Sequence, residues 1–159
     1  RTLQRFAQTY PNLATLATYG TSTQGRPEYV LTLEDKTAPG PKAELMITGA
    51  SHGNETATVD VVLGLAELLL QGQATDGRFA AMLKSHVVHF IPAVCVDSYV
   101  ARTREADGRD PNRDFPYPDM PNRSPVRCTK DVMAFADSRS LVGSLDFHDS
   151  ASMVFFPWA

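Results

Sequence analysis

Three observations predict an α/β protein, a sandwich built around a mixed, largely parallel sheet. Short apolar runs recur at 43–49, 86–94 and 141–147. Segments with helical apolar spacing lie between them. Turn-rich stretches such as "EDKTAPGPK" and "QGQATDG" separate the two kinds. Strands alternating with helices bury both faces of one sheet, hence the layered arrangement.

The elements follow in order. Leu3, Phe6, Ala7 and Tyr10 keep helical spacing, and Pro11 stops that helix. Residues 14–20 and 27–33 read as strands joined through "TSTQGRP", and 43–49 is a third. A helix then runs to about Leu70, with Val59, Val62, Leu63, Ala66 and Leu69 on its inner side. Phe79 to Leu83 forms a short helix and "HVVHFIPAV" (86–94) a buried strand. Residues 101–125 are polar and hold five prolines, as an ordered surface loop would. Ser124 and Pro125 suit the N-cap and first turn of a helix ending near Arg139. Strands at 141–147 and 152–158 complete the reading.

Composition bounds the function. The 159 residues suffice for one domain, and 43% apolar with 21% charged residues is ordinary for a globular chain. A net charge of −3 leaves no polybasic surface for nucleic acid or anionic lipid. No apolar run reaches the ~18–20 residues of a membrane-spanning helix. Two cysteines make neither a disulfide framework nor a Cys-rich metal site. Cys95 lies in an apolar run and reads as a buried, inert thiol in preference to one half of a bridge.

Chemistry concentrates in two places. "SHGNE" (51–55) follows the strand at 43–49, and His148 follows the strand at 141–147. Ligands in such sheets bind beyond the carboxyl ends of strands. Two histidines and a glutamate are a known catalytic zinc set, so His52, Glu55 and His148 are candidate ligands. Glu55 is expected in the first helical turn, where the macrodipole favours an anion, and Gly53 permits a tight reversal. The plain alternative is a capping or surface glutamate. "TREADGRDPNRDFPY" (103–117) carries Arg104, Arg109 and Arg113 beside Asn112. It reads either as a solvated loop with weak ion pairs or as a site for an anion. His86 and His89 face opposite sides of one strand and read as structural. Asp146, two before His148, either orients that imidazole or simply ends a strand. Phe155, Phe156 and Trp158 read as core.

"TYGTSTQGRPEYVL", "MITGASHGNETAT", "RDPNRDFPY" and "LDFHDSASMVFFPW" occur in the order of motifs in the zinc carboxypeptidases. The chain resembles this funnelin-type family over nearly its whole length, which implies the family's three-layer α/β/α sandwich, here incomplete at its C-terminal end. The resemblance implies that His52, Glu55 and His148 hold Zn2+. It also implies that Asn112 and Arg113 grip the terminal carboxylate of the substrate. Arg104 would polarise the scissile carbonyl, with Arg102 as rival, and Arg109 would brace the loop. The implied partner is a peptide or acyl-amino acid with a free carboxylate, with neither nucleic acid nor membrane involved. The family's "NPDG" is here "CVDS" (95–98), which keeps only Asp97.

Residues 1–159 are expected to be the first part of one catalytic domain, cut after the third metal ligand. The family's general-base glutamate, a substrate-covering tyrosine and the specificity pocket belong to a later portion. Asp149 adjoins His148 and reads as a supporting group rather than that base. Two other functions stay open. One is an amidohydrolase of the aspartoacylase or succinylglutamate desuccinylase type, acting on acyl-amino acids or cell-wall peptides. The other is a noncatalytic binding module of the same fold.

Overall fold

The computed structural model describes residues 1–116, 124–149 and 154. Strands β1 (Ala14–Thr21), β2 (Pro27–Leu33), β3 (Ala43–Gly49), β4 (His86–Ile91) and β5 (Leu141–Phe147) form one sheet in the order β1-β2-β4-β3-β5. β1–β2 and β2–β4 pair antiparallel, whereas β4–β3 and β3–β5 pair parallel. The sheet is therefore mixed as expected, with parallel pairing confined to the strands that lead into the candidate site.

Both faces are covered. Helices α1 (Thr2–Thr9), α2 (Ala57–Gly72) and α3 (Gly77–Ser85) bury Phe6, Val62, Ala66, Leu70 and Leu83 against Leu31, Leu33, Val88 and Phe90. On the other side α5 (Arg127–Asp137) packs Val132 and Phe135 against Val30 and Ile91. No described helix is long and apolar enough to cross a membrane.

Three local expectations are corrected. The strand at 86–94 ends at Ile91, and a short helix, α4 (Val96–Ala101), follows. Pro92 has no N–H to donate to a ladder, and the Val94 and Cys95 amides donate instead to Gly49 and Ala50 carbonyls at the end of β3. The last helix begins at Arg127, not at Pro125, because Asp114 accepts the Val126 N–H and Val126 is held extended (φ −62°, ψ 162°). Cys95 is not a free thiol. It caps α4 and forms a disulfide with Cys128 in the first turn of α5, Cα–Cα 5.1 Å. Linking residues 33 apart is worth about 3–4 kcal/mol in the chain-entropy account. The predicted strand 152–158, with Phe155, Phe156 and Trp158, lies outside the described residues, Val154 apart.

The predicted histidine roles follow from the ladder. His89 is buried on β4, its Nδ1 3.0 Å from Thr32 Oγ1 and its Nε2 2.8 Å from Glu44 Oε2. These contacts tie β2, β4 and β3 together across the sheet. His86 contacts only Ser85 Oγ among described polar partners, at 2.8 Å.

Under α5 lies a buried acid. Glu28 on β2 is wholly buried and faces Asp131 of α5. A side chain on Gly20 would collide with both carboxyls, so glycine makes room for the pair. Burial, then the hydrogen bond and charge of Asp131, push Glu28 up to about 8. The same burial and the same two acids push the Tyr19 phenol upward. Two carboxyls share a hydrogen bond only if one keeps its proton. Because the folded pKa of Glu28 lies above its ordinary value, the folded state holds more protons between roughly pH 4.5 and 8, and Glu28 subtracts stability as pH rises through that window. Glu28→Gln mimics the protonated acid. Its thermal midpoint relative to wild type is expected to rise between pH 5 and pH 9 by about 3–6 °C. Scanning calorimetry of both proteins across that range measures it, and a flat difference contradicts it.

Candidate metal centre

β3 and β5 run parallel with Thr48 opposite Asp146 and Gly49 opposite Phe147. The two chains therefore leave the sheet side by side and at the same height. His148 is the first residue beyond β5, and the turn 51–54 follows β3 directly. Their imidazoles meet, with ring centroids 4.9 Å apart.

The turn is held from several sides. Ala50 adopts a left-handed conformation (φ 46°) as the chain leaves β3. The Thr58 hydroxyl accepts from the Ala50 N–H at 2.8 Å and donates to the Glu55 carbonyl at 2.7 Å. Gly53 is needed for a reason other than the expected reversal. Its backbone lies against Ser98 and Tyr99 of α4, and a Cβ there would overlap that helix's main chain. Glu55 is likewise displaced from its expected place. It precedes the Thr56 cap of α2 rather than lying in the first turn.

Glu55 is the hub. Its Oε1 lies 2.9 Å from His52 Nδ1 and its Oε2 2.7 Å from His148 Nδ1. His52 and Glu55 are each 2% exposed, so neither is a surface group. The three offer donor atoms all within 4.8 Å of one another. Each imidazole is anchored by its other nitrogen. His52 Nε2 meets Asp110 Oδ1 at 2.9 Å, and His148 Nε2 meets Asp146 Oδ2 at 3.1 Å. A carboxylate behind each histidine fixes its ring and tautomer so that Nδ1 faces inward. Asp146 is in turn held by the hydroxyls of Thr48 (2.8 Å) and Ser51 (2.9 Å). This donor chemistry fits a zinc ion: two imidazole nitrogens, one carboxylate, and outer partners that favour the metal-binding tautomer.

The charges are mutually set. Hydrogen bonding to Asp146, partly opposed by burial and reinforced by Glu55, raises His148 to about 9. For Asp110, burial opposes ionisation, but hydrogen bonds from His52 and Arg104 outweigh it and hold the carboxyl at about 2. Asp110 stays an anion at any working pH.

Arg104 stands at the rim. Its guanidinium lies 3.4 Å from His52 Nδ1, 3.7 Å from Glu55 Oε1 and 2.8 Å from Asp110 Oδ2. Its rival Arg102 is turned away, in a left-handed conformation with its guanidinium 5.0 Å from the centre of the Tyr99 ring. Asn112 and Arg113 lie on a single 3-10 turn, Pro111–Arg113, that starts at Asp110. The Asp110 carboxylate accepts the Asn112 N–H at 2.9 Å, and Arg113 is exposed. Arg109 reaches Asp114 Oδ1 and the Ser124 carbonyl, each at 2.9 Å, as a loop brace would.

Asp110 carries a role that sequence reasoning left unassigned, although it opens the D-x-N-R motif. Asp97, all that remains of the altered "CVDS" stretch, also has a clear task. It accepts from Ser22 Oγ, the Gln24 N–H and the Arg26 guanidinium, and so pins the "TSTQGRP" turn to α4.

A mixed α/β sheet thus places, at adjacent parallel strand exits, a two-histidine, one-glutamate donor set that could hold a metal ion. The chain belongs to the zinc carboxypeptidase family, whose sequence profile matches residues 1–159. It is 30% identical over 171 residues to carboxypeptidase D of Mus musculus, covering 98% of this chain and 12% of that protein. Its fold is similar to that of a metallo-carboxypeptidase from Burkholderia cenocepacia, with TM-score 0.77, 22% identity and coverage of 92% of this chain and 39% of that one. An aspartoacylase family protein from Mesorhizobium loti is similar at TM-score 0.61 and 20% identity, covering 85% and 40%. The chain thus spans well under half the length of each of these relatives.

Replacing Asp110 by Asn keeps the shape but removes the anion behind His52. Zinc affinity is expected to fall about 10- to 100-fold. Competition titration against a chromophoric chelator reads this directly, and unchanged affinity would remove Asp110 from the centre.

Proposed function

We propose that this chain forms the metal-binding part of a zinc-dependent carboxypeptidase, which hydrolyses the C-terminal amide bond of a peptide. What carries the reading is the convergence of His52, Glu55 and His148, with Arg104 at the rim and the Asn112–Arg113 turn tied to the same centre through Asp110. His52, Glu55 and His148 would hold the zinc ion, which when bound would supply Lewis-acid chemistry and an acidified water for hydrolysis.

The remaining roles belong to the protein. Arg113 pairs with the substrate's terminal carboxylate through two parallel hydrogen bonds, and Asn112 adds directional donors. The distance from that grip to the metal selects the last peptide bond. Arg104, fixed by Asp110, faces the scissile carbonyl and stabilises the negative charge that develops on its oxygen. The proton passes through a glutamate in a later portion of the catalytic domain, outside the 159 residues.

Arg113→Ala is expected to lower kcat/KM for peptides with a free C-terminus by about 10²- to 10³-fold, with bound zinc unchanged. Steady-state assays with matched free and amidated peptides, N-acyl amino acids and muropeptides test this. Normal turnover of free-carboxylate peptides by the variant would remove Arg113 from its role. Preference for acyl-amino acids or muropeptides would assign the centre to amidohydrolase chemistry.

A further inference from the structure

The Cys95–Cys128 disulfide closes a long segment of chain, and the candidate substrate-contacting residues lie inside it. Arg104, Asp110, Asn112 and Arg113 all fall between the two cysteines, which are 33 residues apart. After α4 ends at Ala101, the described part of this strap contains one 3-10 turn and one isolated bridge, Ala106 to Arg109. Most of its described polar contacts are internal, such as Ser98 Oγ to the Glu105 carbonyl and Arg109 to Asp114. Among the described residues, its side-chain contacts to the candidate metal centre run from Asp110 to His52 and from Arg104 to His52 and Glu55.

The disulfide acts where those contacts do not. Cys95 donates its N–H to the Ala50 carbonyl, two residues before His52. Cys128 belongs to the first turn of α5, whose Val132 and Phe135 are buried against the sheet. The bond therefore fixes the far end of the strap to the backbone that presents the first metal ligand. Without it, the described strap is closed by Arg109 on the Ser124 carbonyl, Asp114 on the Val126 N–H and the separate packing of α4 and α5, and the height of Asn112 and Arg113 above the metal is less constrained.

We propose that Cys95 and Cys128 are positioning residues for substrate capture: their covalent closure holds the Asn112–Arg113 turn of the strap in register with the metal centre. The proposal rests on the function assigned above. A cavity of about 100 Å³ lined by Cys95, Cys128, Ser22, Asp97 and Thr103 lies beside the two buried cysteines.

The test compares the full-length protein with its Cys95→Ala/Cys128→Ala variant. KM for a free-carboxylate peptide is expected to rise about fivefold or more, with kcat and zinc stoichiometry within about twofold. Amide exchange over residues 102–116 is expected to accelerate about tenfold or more, with β3 and β4 unchanged. Equal KM with unchanged exchange in the strap would show a bond that merely adds stability and would overturn the proposal. So would loss of zinc with a falling kcat, or two titratable thiols in unreduced, denatured wild type. If no peptide is turned over, the function above fails and amide exchange alone decides the positioning claim. If the variant does not fold, graded reduction of wild type replaces it. Strap amides losing protection before β3 and β4 support the proposal, and simultaneous loss overturns it.

Discussion

The register between β3 and β5 is the constraint on which the site depends. Parallel pairing sets Gly49 opposite Phe147, so two segments almost a hundred residues apart end at one level. A slip of one residue would turn every side chain of β5 to the other face. It would also move His148 away from Glu55. The polar contacts at the strand ends reinforce that register. Thr48 and Ser51 both donate to Asp146, so the residue that orients His148 is held by the strand and turn that present His52. The fold and the donor set are thus one arrangement.

The centre gathers three carboxylates around two imidazoles. Glu55 is buried between the rings, and Asp110 and Asp146 back them. Burying such a group of anions is unfavourable unless cations face them. Arg104 and the imidazoles supply part of that compensation, and the arrangement is the one expected around a divalent ion. Family membership and this geometry agree, although the chain covers 12% of the mouse relative and 39% of the Burkholderia structure.

Much of this was legible in the residues. β1, β2, β3 and β5 fall within a residue of their predicted bounds, because apolar runs bounded by Gly and Pro turns leave little freedom in register. The pairing of His52, Glu55 and His148 followed from two strand exits and a known donor set. What was not legible depends on partners distant in sequence. Cys95 looked like part of a strand because its neighbours are apolar; only the early end of β4 turns it toward Cys128. The role of Gly53 is set by α4, which a local reading cannot place beside it. The start of α5 is set by Asp114, wholly buried and reaching across the loop to Val126. Glu28 reads as an ordinary strand glutamate until α5 brings Asp131 against it.

The most direct measurement is anomalous scattering at the zinc edge from crystals of the purified protein. The account predicts one peak within about 2.0–2.2 Å of His52 Nδ1, a Glu55 carboxylate oxygen and His148 Nδ1. A zinc-replete crystal with no peak between these three side chains, or with either histidine ligating through Nε2 in place of its carboxylate contact, would contradict it.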